Sequence, residues 1–177
     1  MASIHTSATI SPTKAELLAA EFGGPVTVLA TYRFDDPSGE VGVEGFIVTR
    51  DGQTSHLVLT YRGAPLADPA ARLVSPMEHS VLGPRWVYDG STDPVALACL
   101  RRAILGDQEQ AALELVEGDR VTGVREHTVT FEAAAEVEDR DGRVLVARDL
   151  AVPLVGAGLV AHWAGGTAPV AVLASQR

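Results

Sequence analysis

Residues 78–105 constrain the fold of this chain more than any other stretch. In residues 81–88, Val-Leu-Gly-Pro-Arg-Trp-Val-Tyr, β-branched and aromatic side chains favour a pleated surface, with Trp86 and Tyr88 on one face and Arg85 and Val87 on the other. Asp89-Gly90-Ser91-Thr92 then carries turn chemistry. Thr92 or Asp93 can accept from the first free N–H groups of a helix, and Pro94 suits the first helical position, where no donor is needed. Leu97, Leu100, Arg101 and Ile104 recur at helical spacing before Gly106 stops the run. A strand, a turn and an amphipathic helix in one segment demand a sheet for the helix to lie on.

The rest of the chain supplies strands. Ser11 as N-cap and Pro12 as first helical residue open a short helix that ends at Gly23-Gly24. Residues 26–34 are β-rich and break at Asp35-Asp36-Pro37-Ser38-Gly39. Strands over 41–50 and 53–62 flank Asp51-Gly52, a favoured two-residue hairpin turn because both positions need positive φ. Residues 63–76 hold three prolines and read as a long connection with one helical turn at 69–73. A second helical piece begins at Asp107 and carries Ala112, Leu115 and Val116 before Gly118. Residues 127–138 alternate apolar and polar, the pattern of the longest strand, followed by strands over 143–152, 160–163 and 170–174. Six to eight consecutive strands with two or three helices predict an α+β fold: a mostly antiparallel sheet, one main helix and one or two minor helices. At 177 residues the chain is expected to be a single domain.

Composition excludes more than it assigns. A net charge of −9 and only one lysine, Lys14, leave no basic stripe for phosphate backbones, so neither nucleic acid nor an anionic membrane is an expected partner. No apolar run reaches the ~18 residues that span a bilayer, and the first residues lack a signal-peptide pattern, so the expected location is the cytoplasm. Cys99, the single cysteine, falls in a helical apolar pattern and reads as a small buried hydrophobe.

Motifs for chemistry are weak. Gly156-Ala157-Gly158-Leu159-Val160-Ala161 matches the dinucleotide fingerprint in letters, but no helix can follow past Gly165-Gly166 and no acidic residue follows Asp149. No Gly-Lys-Ser/Thr triplet and no G-x-S-x-G elbow occur. No catalytic, cofactor-binding or metal residue is therefore assigned. Glu78-His79 and Glu126-His127 are suggestive pairs, yet neighbours on a strand point to opposite faces. The carboxylates of Glu126, Glu132, Glu136 and Glu138 read as a solvated strand face. Trp86, Tyr88 and Trp163 are candidates for a ligand or docking face, as are His79 and His127, although core or surface roles account for all five.

Val87-Tyr88-Asp89-Gly90, followed by Asp93-Pro94 and the helix over 97–105, resembles the N-terminal cap domain of actinobacterial maltokinases and related sugar kinases. The upstream hairpin fits the same pattern, and the likeness covers about residues 10–106, with 107–177 as a strand-rich extension. The resemblance implies a cystatin-like unit, a curved antiparallel sheet with a helix against it, here extended by further strands. It implies no kinase activity, because the nucleotide-binding lysine, catalytic aspartate and metal-ligand motifs of the kinase lobes are missing. The function expected from it is a non-catalytic binding or regulatory module acting with a sugar kinase or α-glucan enzyme. The alternatives are a binder of a sugar or sugar phosphate and an undescribed hydrolase or isomerase. A homodimer is a further expectation, since a long strand over 126–138 would leave an edge to cover.

Overall fold

The computed structural model describes residues 2–5, 8–117 and 120–175. Its elements begin with β1 (Ala2–His5), β2 (Ile10–Ser11), helix α1 (Lys14–Phe22), β3 (Thr27–Asp35), β4 (Gly42–Arg50) and β5 (Gln53–Arg62). There follow β6 (Leu73–His79), β7 (Gly83–Asp89), helix α2 (Pro94–Ile104), β8 (Leu113–Glu117) and β9 (Arg120–Arg125). β10 (Val129–Glu132), β11 (Arg143–Val146), β12 (Ala157–Trp163) and β13 (Gly166–Ala174) complete the order. A curled six-stranded sheet runs β2-β6-β7-β5-β4-β3, a four-stranded sheet β10-β12-β13-β11, and a three-stranded sheet β1-β8-β9. All ladders are antiparallel except that of β1 with β8. The expected α+β class is the observed one.

Local chemistry explains the strongest elements. Asp51 and Gly52 turn the β4–β5 hairpin with φ of 52° and 81°, as a tight two-residue connection requires. Asp93 caps α2 by accepting from the Val95 N–H at 2.9 Å, and Pro94 follows at the first helical position. The stripe that α2 buries is Ala96, Cys99, Leu100, Ala103 and Ile104, one residue off the expected set, with Leu97 and Arg101 on its flank. These side chains pack between Tyr32, Phe34, Val43 and Ile47 of the six-stranded sheet and Leu159, Ala161, Val170 and Leu173 of the four-stranded sheet.

A buried polar link joins the two layers. Past Val146 the chain crosses to β5, where Arg148 C=O accepts from His56 N–H at 2.9 Å and Thr54 C=O accepts from Leu150 N–H at 3.1 Å. The Ala147 carbonyl can only accept, so His56 donates to it from Nδ1 at 2.9 Å; Nε2 then accepts from the Tyr32 hydroxyl at 2.7 Å. Phe131 of β10 meets the Tyr32 ring edge-on at 4.9 Å between centroids.

Six expectations are corrected. The first helix starts after Thr13, not at Ser11, because a capping box forms there: Thr13 Oγ1 accepts from Glu16 N–H and Glu16 reaches back to Thr13 N–H at 2.7 Å. Ser11 instead pairs with Glu78 in β2. Residues 73–76 belong to β6, with no helical turn; Pro76 is tolerated because pairing with β2 ends at Glu78. Residues 113–117 are a strand rather than a helix, since Gly106 at φ 77° turns the chain out and Ala111 N–H donates to Arg33 C=O at 2.8 Å. The expected stop at Gly118 lies outside the described residues. The strand over 127–138 shrinks to Val129–Glu132: its ladder ends at Glu132↔Val160, where β12 shifts register against β13 at Leu159/Val160 and bends away. The strand over 143–152 ends at Val146, where the chain leaves for β5. The described residues thus hold thirteen strands, more than the six to eight expected.

Candidate functional site

Two-residue alternation gives the six-stranded sheet two unlike faces. Tyr32, Phe34, Val43, Ile47 and Val58 point toward α2, whereas Phe46, Val48, Leu57, Leu59, Met77 and Val87 point toward Leu17 and Leu18 of α1. The nine residues of α1 rise roughly 13 Å, against roughly 33 Å for the ten residues of β5. The short helix leaves part of its sheet face uncovered. Beyond its N-terminal end a pocket of ≈ 230 Å³ opens, bounded on its outer side by Leu113 and Arg125 of the three-stranded sheet.

The polar lining of that pocket includes Lys14, Arg33, Glu44, Tyr61, Arg85 and Arg125, with Thr31 and His79 beside them. Arg33 and Glu44 are cross-strand partners, so register alone places them side by side. Glu44 is 5% exposed, and Lys14 Nζ lies 2.7 Å from each of its carboxylate oxygens. The same ammonium stands 5.9 Å from the ring centre of Phe46 and 6.0 Å from that of Tyr61, within cation–π range. Burial, together with the neighbouring Glu44 carboxylate, pushes the Tyr61 phenol well above its ordinary pKa.

The three arginines have no such partner. Among the described residues, no carboxylate lies within ion-pairing distance of Arg33, Arg85 or Arg125. Arg33 Nε is buried without a hydrogen-bond acceptor from the described residues. Other arginines do find carboxylates: half-buried Arg62 holds Asp93 through Nε and Nη2 at 2.7 and 2.6 Å, and exposed Arg72 holds Glu21 and Asp89 at 2.6 and 2.7 Å. An otherwise acidic protein therefore concentrates unopposed guanidinium groups around one small concavity.

Most of this scaffold falls in one stretch of chain, β3 to β7. Residues 19–93 match the maltokinase N-terminal cap domain. The match covers less than half of the chain, ending on Asp93, the cap of α2. No curated protein and no solved structure matches the chain. The cap-like segment contributes Arg33, Glu44, Tyr61 and Arg85 to the pocket, while Lys14 and Arg125 come from outside it. Strands after α2 also cover the apolar stripe of that helix, so the extension completes both sides of the cap-like sheet.

The residues singled out from the sequence are dispersed. His79 lines the arginine pocket, with Nδ1 accepting from the Val81 and Leu82 amides at 3.2 and 3.1 Å. His127 stands elsewhere, in a cleft beside Phe131 and Gln110, its Nε2 donating to Ala111 C=O at 3.0 Å. Tyr88 is buried on the α2 side, where its hydroxyl accepts from Leu66 N–H at 2.9 Å. Trp86 is half-buried opposite Arg62 on β5, and the Trp163 ring lies against Gly166. Among the described residues no three His, Cys, Asp or Glu side chains converge, and no helix is long and apolar enough to cross a membrane.

Apart from His79, the pocket residues were not among the candidates that the sequence suggested. Their signal was present: Arg33 between Tyr32 and Phe34, and Glu44 between Val43 and Gly45, are charges at strand positions whose neighbours are buried. The alternation that separated Arg85 from Trp86 was also correct, but the pocket lies on the arginine's face.

Proposed function

We propose that this chain is a non-catalytic, cap-like binding or regulatory module of a sugar-kinase or α-glucan context. The observation that carries the reading is the cap-domain match over residues 19–93, from within α1 to the start of α2. The reading takes residues 1–177 as one domain, with a cap-like part over 10–106 and an extension over 107–177. It is supported by one buried core that holds Val43 and Ile47 of the cap-like part together with Val170 and Leu173 of the extension, with α2 between them. It places the protein in the cytoplasm beside its partner enzyme. The test is to mix the chain with a maltokinase-type kinase and measure association and rate. Binding or an altered rate is the expected result, and neither effect would count against the reading.

A second reading is favoured by the arginine-lined pocket: the module binds a small molecule there, and His79 is then the one nominated residue at the ligand site. Trp86, Trp163 and His127 stay candidates for separate docking surfaces, whereas Tyr88 is 4% exposed and could take part only from within the fold. A homodimer stays a further reading, although β10, the edge strand of the four-stranded sheet, already has its Val129 carbonyl bonded to Gln110 at 2.6 Å; sedimentation at several concentrations tests for it.

A further inference from the structure

We propose that the pocket between α1, the six-stranded sheet and β9 is a binding site for a small phosphate monoester, recognised by Arg33, Arg85 and Arg125. The inference rests on the second reading above, that the pocket takes a small ligand, and adds the ligand's chemical class.

The argument begins with charge. The protein as a whole carries −9, so a cluster of cations runs against its average field. Among the described residues Glu44 is the one carboxylate in the lining, and Lys14 already neutralises it at 2.7 Å. The remaining excess is three guanidinium groups, which suits the charge of −1.5 to −2 on a phosphate monoester better than the single charge of a carboxylate. Guanidinium groups also present paired N–H donors that match phosphate oxygens. Arg33 Nε, buried and without an acceptor among the described residues, is the donor that most needs such an oxygen.

Size and shape narrow the class. At ≈ 230 Å³ the pocket is below the ~300 Å³ at which drug-sized sites begin, which limits the ligand to about one ring and its phosphate. Met77, Leu82 and Leu113 offer apolar contact, while the Glu44 carboxylate and the Tyr61 hydroxyl can meet the hydroxyl groups of a polyol. Arg85 is half-buried and Arg125 exposed, so one arginine grips from the wall and the other from the rim.

Calorimetric titration of the full chain with inorganic phosphate, glucose 6-phosphate and uncharged glucose tests the assignment. Glucose 6-phosphate should bind measurably, weaken with added salt, and bind more tightly than glucose. Arg85→Gln and Arg125→Gln should each weaken it about tenfold, the equivalent of one charge-assisted hydrogen bond. Arg143→Gln on β11, outside the pocket, should leave affinity unchanged. If Arg85→Gln unfolds, the exposed Arg125 still reads the effect. Inorganic phosphate binding as tightly as glucose 6-phosphate would support recognition of the anion and assign little energy to the ring. Glucose binding as well as its phosphate, with no effect of either arginine, overturns the phosphate assignment but leaves a ligand pocket standing. Absence of any binding at millimolar concentrations overturns both.

Discussion

The phenol ring of Tyr32 stands where a side chain on its cross-strand partner Gly45 would be: a Cβ on Gly45 would lie 2.0 Å from Tyr32 Cζ. Glycine at that position lets the ring lie across β4 and reach His56. Gly45→Ala should therefore destabilise the protein by about 2 kcal/mol or more, the range of overpacked cores. Urea unfolding measures it, and pairing the change with Tyr32→Leu should recover part of the loss.

The His56 imidazole is held neutral. Burial lowers its pKa from 6.5 to about 4, against the smaller upward effect of its bond to Ala147. The unfolded chain then takes up the proton first as pH falls. Stability from this group is complete above pH 6.5 and is lost progressively down to pH 4, by roughly 3 kcal/mol in all. His56→Leu should flatten that slope between pH 6.5 and 4 in urea unfolding curves, whatever its effect at neutral pH. An unchanged slope would mean the imidazole does not carry it.

Lys14 and Glu44 should behave unequally. Lys14→Met strands a carboxylate that is 5% exposed, and is expected to cost about 1–3 kcal/mol, less than a fully buried pair because the lysine side chain is 42% exposed. The double variant Lys14→Met/Glu44→Gln should be more stable than the single one. A double-mutant cycle in urea gives the coupling.

Asp93 carries three tasks at once: it caps α2, accepts from Thr60 Oγ1 at 2.6 Å, and receives both arms of Arg62. Arg62 and the hydroxyl hold its pKa below the ordinary aspartate value despite the opposing effect of burial. Asp93→Ala should cost about 3–5 kcal/mol, the range for breaking a buried pair. A loss within that of an ordinary surface cap, about 1 kcal/mol, would show the pair to be weak.

Cys99 is fully buried on the inner face of α2, and burial raises its thiol pKa. A disulfide reagent should label it only as fast as the fold opens, so the rate should climb with urea in step with unfolding.

The chain's short-range chemistry was sufficient for the β4–β5 hairpin, the Asp93-Pro94 start of α2, the stops at Gly23 and Gly106, and the sorting of Trp86 and Arg85 to opposite faces. Each depends on a handful of adjacent residues, whose φ limits and hydrogen-bonding groups act locally. The part of the cap-domain match that spans residues 80–93 lay in the same kind of contiguous pattern, and the match stops before the body of α2.

Tertiary structure decided the lengths of β10 and β11, the strand at 113–117 and the pocket. A strand's extent is set by the partner it pairs with, so residues 127–138 could not reveal that β12 bends at Leu159/Val160. Lys14, Arg33, Glu44, Arg85 and Arg125 are likewise scattered through the sequence and meet only because register aligns the strands and α1 is too short to cover them. Which charges find a partner, and which are left facing a cavity, follows from that packing.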